Sequence, residues 1–142
     1  MAGHVVSSTV GARAQKGEQD VFLDKAYGLL SAATEAFHSG GTAEALEYGY
    51  QAALRIAGAR ITSLGVRKRK RTGVSVWQKL AEVDEAGVRQ AKTFSAYSAK
   101  RSRVLHGVDS DVSVHCVQKL LSDVREFIDF AEQERGWLSV AA

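Results

Sequence analysis

Between residues 19 and 39 the apolar side chains fall on a single helical face. Phe22, Ala26, Leu29, Leu30, Ala33 and Phe37 keep the i, i+4, i+7, i+8, i+11, i+15 spacing of one buried stripe. Gly40-Gly41 ends that helix. Thr42 is placed to cap a second helix with Glu44 in its first turn. Leu46, Tyr50, Ala53, Leu54, Ala57, Ile61 and Leu64 then form a stripe that Gly65 closes. Gly49, Ala53, Ala57 and Gly58 are small enough to let a neighbouring helix approach. Ser75 and Gln78 have capping-box spacing, which predicts a short third helix over 76–83 anchored by Trp77 and Leu80. A fourth helix is expected over 85–105. A fifth follows the cap signal Asp109-Ser110-Asp111 and reaches about residue 137, with Val117, Leu120, Leu121, Val124, Ile128 and Ala131 inward.

Nothing in the chain alternates apolar and polar residues over a strand's length, and there is no proline. The expected fold is all-α: an up-and-down antiparallel helical bundle of four long helices plus one short helix. Its 142 residues suit one domain, and a hydrophobic fraction of 45% suffices for one core. The polar first residues read as a disordered tail over 1–18, ahead of a bundle over 19–138 and a short tail over 139–142. Cys116 is the only cysteine, so no intrachain disulfide and no CxxC knuckle can form. With no signal-peptide core and no apolar run of spanning length, the expected location is cytoplasmic, without a membrane partner.

Charge changes the picture. Residues 48–81 carry eight basic residues and no acid, while the rest of the chain has 11 basic and 16 acidic residues. The core of the stripe is the loop Arg67, Lys68, Arg69, Lys70, Arg71, which can draw a polyanion such as RNA. It lacks interleaved aromatics, so phosphate contact without sequence choice is the most it implies.

One residue breaks the pattern of the fourth helix. At 100° per residue, Arg101 falls among Phe94, Tyr97, Val104 and Leu105 on the apolar face, whereas Arg103 points to solvent. A guanidinium there needs a counter-group. It is a carboxylate, a backbone carbonyl or a bound anion, with Asp123 or Glu126 of the fifth helix as the candidate acids. His106 follows five residues later, about 140° around the helix. On its own it reads as a C-terminal cap. His115 and Cys116 are neighbours in sequence and face different directions, so they make no metal site with it.

Arg101-Ser-Arg-Val-Leu-His106 resembles the Arg-x4-6-His motif of HEPN domains. Four further segments are similar to an actinobacterial HEPN subfamily: the Ala-rich Tyr50–Ala59, the basic Arg67–Arg71, the Ser-x-Trp opening of Ser75–Leu80, and the long Val112–Phe130. The resemblance covers roughly residues 20–135. It implies a helical bundle that forms a homodimer, without a cofactor. Many such proteins are metal-independent endoribonucleases, often toxins or defence effectors, whose two Arg–His pairs line one composite cleft. Arg101 would then hold the scissile phosphate and His106 would act as general base or acid. Arg67, Lys68, Arg69, Lys70, Arg71 and Arg103 would contact RNA. Other members are interaction modules that bind RNA or a nucleotide without cleaving it. Any protein partner would be separately encoded.

Overall fold

The computed structural model describes the backbone at residues 2–64, 74–108 and 111–141, and side chains at 17–64, 74–108 and 111–137. It contains five helices and, among the described residues, no strand: α1 (Ala2–His38), α2 (Thr42–Ser63), α3 (Val76–Ala81), α4 (Glu85–Leu105) and α5 (Val114–Ala141). The pairings give the directions. Tyr27 meets Glu132 and Thr34 meets Arg125, so α1 and α5 are antiparallel. Glu47 meets Arg101 and Arg60 meets Gln90, so α2 and α4 are antiparallel too. The chain therefore runs up, down, up and down through its four long helices.

The ends of the elements follow local chemistry, with three departures from the sequence reading. First, helical backbone begins at Ala2, where a disordered tail over 1–18 was expected. It is broken at Gly17 (φ 69°, ψ −156°), close to the expected start at residue 19. The positive φ favours glycine and separates the two stretches. Second, Gly41, not Thr42, is the N-cap of α2, and it offers no side chain to its first turn. Third, α5 starts at Val114, where the Ser113 hydroxyl accepts the Cys116 N–H at 3.0 Å. The Asp109-Ser110 part of the expected cap lies outside the described residues. Ser75 and Gln78 do form a reciprocal capping box.

The second helix is the axis of the core. Its buried residues include Leu46, Tyr50, Ala53 and Ala57, as expected, but also Ala45, Gly49, Ala52, Ile56 and Ala59. Leu54 and Ile61 are only half-buried. A one-stripe reading fails here because α1, α3, α4 and α5 all pack on α2. The small residues make this possible. A Cβ on Gly49 would sit 2.9 Å from the Leu120 side chain, and one on Gly58 2.9 Å from Phe22. In α1, Leu23 joins Ala26 and Ala33 in the core. Trp77 of α3 stacks on Phe94, which stacks on Phe127 of α5 with ring centroids 5.5 and 4.9 Å apart. The Trp77 indole N–H donates to the Tyr50 hydroxyl at 2.8 Å. Trp137 is 79% exposed.

Arg60 is the one charged residue that is buried among the described residues, at 1% exposure. Its Nε and Nη2 donate to Glu134 at 2.9 and 2.8 Å, Nη2 also to Asp84 at 2.6 Å, and Nη1 to Gln90 at 2.7 Å. The guanidinium lies 4.7 Å over the Phe130 ring. Asp84 is also the N-cap of α4, accepting the Gly87 N–H. One buried cation thus joins α2, the start of α4 and the end of α5. Arg60→Met leaves two carboxylates around an apolar group. It should cost about 3 kcal/mol, read as a lowered urea midpoint at unchanged slope; a loss below about 0.5 kcal/mol would show that the carboxylates relax into water.

Gly87 marks the tightest joint. A Cβ there would stand 2.1 Å from the Leu80 carbonyl oxygen, a backbone atom that cannot swing away. Gly87→Ala should therefore push α3 off α4 and cost about 2–3 kcal/mol, measured in the same way. An unchanged midpoint would mean that the α3–α4 joint is loose.

Candidate functional site

Arg101 and His106 lie at the end of the bundle formed by the C-terminus of α4 and the N-terminus of α2. Arg101 does not reach Asp123 or Glu126. Its Nε and Nη2 donate to the two carboxylate oxygens of Glu47 on α2, at 2.7 and 3.0 Å. Its guanidinium also sits 5.2 Å from the Tyr50 ring centroid. The Gln51 amide donates to the same carboxylate. The sequence reading sought the partner on α5, but Tyr97, one turn earlier on α4, has already taken Asp123. The Tyr97 hydroxyl donates to Asp123 at 2.8 Å, and Lys119 bonds Asp123 at 3.0 Å. Burial, helped by the Asp123 carboxylate, pushes the Tyr97 hydroxyl well above its ordinary value.

The Arg101–Glu47 pair is half-buried, its side chains 32% and 27% exposed. The Arg101 hydrogen bonds hold the Glu47 carboxyl below its usual range, against the opposing push of partial burial. The same bonds raise the already high value of Arg101.

His106 is the C-cap residue of α4 (φ −92°, ψ 7°), and Gly107 follows with φ 73°, so the chain turns there as a capping signal requires. Its Nδ1 lies 2.8 Å from the Ser102 carbonyl oxygen. A carbonyl only accepts, so Nδ1 carries a hydrogen. The ring is exposed. The helix stays regular through Leu105, so Arg101 and His106 do not converge within one chain. Arg101 is tied to α2, and His106 folds back on its own helix. Arg103 lies exposed in the last turn of α4. Arg67, Lys68, Arg69, Lys70 and Arg71 lie outside the described residues. The loop that carries them leaves α2 at Ser63, the Arg60 end of the bundle.

Sequence reading missed Glu47 and the role of Arg60. A signal for Arg60 was present. It lies on the line Ala53, Ile56, Ala57, Arg60, the same anomaly that drew attention to Arg101. Glu47 gave none, as an acid beside an apolar stripe is unremarkable.

Two adjoining cavities run between α4 and α5. One, of about 290 Å³, is lined by Arg89, Gln90, Glu126 and Phe130 among others. The other, of about 620 Å³, lies beside Tyr97, Lys100, Cys116 and Lys119. The Phe94 and Phe127 rings behind the first are already buried. Cys116 is half-buried on the wall of the second. Among the described residues, no three His, Cys, Asp or Glu side chains are grouped to hold a metal ion, and no helix is long and apolar enough to cross a membrane.

The sequence profile of the SAV_6107-like HEPN family matches residues 36–132, which contain the Glu47–Arg101 pair, His106, and Arg60 with its partners Asp84 and Gln90, while Glu134 lies just beyond. The chain belongs to the HEPN family. No match was found among curated proteins or solved structures. The family match agrees with the subfamily resemblance of the motifs and with the all-α bundle. Arg101 and His106, the two ends of the Arg-x4-His spacing, both lie within the matched residues. Here each is engaged within the chain, Arg101 by Glu47 and His106 by Ser102.

Because folding lowers the Glu47 carboxyl, the pair contributes stability above the unfolded carboxylate value of about 4.3. That contribution is lost as pH falls through the lower folded value. Glu47→Gln should be less stable than wild type at pH 7, by no more than about 1 kcal/mol given the exposure. The gap should shrink as pH falls below about 4.3 and vanish once the folded carboxyl is protonated as well. Urea midpoints of both proteins across that range provide the check; a constant gap would mean that the charge on Glu47 contributes nothing.

Proposed function

We propose that this HEPN domain, over residues 19–138, is a dimeric interaction module that binds RNA or a nucleotide without cleaving it. The observation that carries this reading is the bidentate Arg101–Glu47 pair. A catalytic arginine must offer its charge to a phosphate in the transition state. In this chain that charge is neutralised by a carboxylate, and His106 hangs on a separate anchor. The affinity for RNA then comes from Arg67–Arg71, whose phosphate contacts are long-ranged and blind to sequence. A separately encoded protein is a further partner for such a module.

A second reading, a metal-independent endoribonuclease of toxin or defence type, has its own support. His106 is exposed, and with Nδ1 held by the Ser102 carbonyl it is the neutral ring's Nε2 that would serve as a general base. Two subunits could then bring their Arg101 and His106 ends together.

End-labelled single-stranded RNA, incubated with nuclease-free protein in EDTA, separates the two readings. Binding should occur, with a log–log salt slope of about −3 if most of the five basic residues contact phosphate. It should weaken strongly when Arg67–Arg71 are replaced by Gln, and the RNA should remain intact. Cleavage that disappears in folded Arg101→Ala and His106→Ala variants would establish the ribonuclease instead. RNA that neither binds nor breaks would leave only the protein-partner role.

A further inference from the structure

We infer that Glu47 is a built-in competitor for the anion site of Arg101, so that a phosphate reaches the guanidinium only against this carboxylate. The inference rests on the second reading above, in which a phosphate meets Arg101, and adds what governs that contact. A phosphodiester and a carboxylate are recognised by the same fork of parallel N–H donors. Glu47 fills the side-on fork of Arg101 completely, one oxygen on Nε at 2.7 Å and the other on Nη2 at 3.0 Å. Tyr50 supports the guanidinium from α2, and the Gln51 amide steadies the carboxylate one turn further on. The whole arrangement is therefore supplied by a five-residue stretch of α2, Glu47 to Gln51.

An arriving phosphate has two routes, and both meet Glu47. It can displace the carboxylate, which breaks two charge-assisted bonds. It can take the remaining Nη1 side, and then it sits within a few ångströms of a like charge. A unit of like charge at about 4 Å costs between about 1 kcal/mol in water and about 4 kcal/mol near a protein surface. Either route weakens phosphate binding about fivefold or more. The pair is not sealed, since both side chains are about one-third exposed. A strong polyanion, or a partner that offers Glu47 another cation, can open it. Contrast Arg60, whose side chain is fully buried with carboxylates on two sides and cannot be opened without unfolding its surroundings.

A pure positioning role for Glu47 makes the opposite prediction, so one substitution decides. Glu47→Gln removes the charge but keeps an amide oxygen that can still accept from Arg101. Inorganic pyrophosphate is the probe, because it offers phosphate oxygens without the length of an RNA strand. Its affinity is measured by calorimetry for wild type, Glu47→Gln, Arg101→Ala and the double variant, each confirmed folded by circular dichroism. The expected result is about tenfold tighter binding by Glu47→Gln, with the gain absent from the double variant. Weaker or equal binding by Glu47→Gln would overturn the competitor role. A gain that survives in the double variant would do the same, since it would not act through Arg101. RNA binding by the wild type is scored separately, so these outcomes leave the loop-driven RNA reading to stand or fall on its own test.

Discussion

A buried guanidinium sets the terms for this fold. Arg60 has no access to water, and the cost of desolvating it must be met inside the bundle by charged and polar groups in fixed places. Those groups come from the start of α4 and the end of α5: Asp84, Gln90 and Glu134. The two helices must therefore bring these ends to α2 at one level. Asp84 then does double duty, since burial opposes its ionisation while the bonds from Arg60 and the Gly87 N–H more than offset this. Once Asp84 is fixed, α4 begins there. Once α4 begins there, Gly87 passes so close to Leu80 that no side chain fits. The register of α3, α4 and α5 on α2 follows from one charge.

The same two helices are joined again at the other end with the polarity reversed. Near the C-terminus of α2 the cation is on α2 and an acid is on α4. Near its N-terminus the acid is Glu47 on α2 and the cation is Arg101 on α4. The chemistry of the joints is alike, but their exposure is not. The Arg60 joint is a permanent fastening, because opening it strands charges in the interior. The Arg101 joint borders solvent, where ion pairs are worth little and exchange partners readily. A fold that needs α2 and α4 held together can rely on the first and leave the second adjustable. Function is more economically placed on the adjustable one.

This asymmetry also explains what could be read from the sequence. Helices with one buried face were legible, and α4 ends where its apolar spacing and cap signals place it. The central helix was not, because a stripe analysis assumes a solvent face, and α2 is enclosed by four neighbours that its many small residues admit. The HEPN family was legible from its motifs, and Arg101 stood out as a cation among apolar residues. Its counter-ion was not legible, since an acid on another helix announces itself only in three dimensions. The nearest sequence-based guess, Asp123, failed because Tyr97 competes for it from one turn away. Arg60 sat in view as one of eight basic residues in a stripe, its meaning hidden by the very abundance of charge around it.

The separation of the two ends bears on any joint action of the basic loop and the Arg–His motif. The loop leaves α2 after Ser63, whereas Glu47 and Arg101 meet sixteen residues earlier on the same helix, a rise of about 24 Å. On the reading proposed above, capture of RNA by the loop and contact of a phosphate with Arg101 are assigned to segments that join α2 at its opposite ends, and the half-exposed Arg101–Glu47 pair would decide whether the second contact is open.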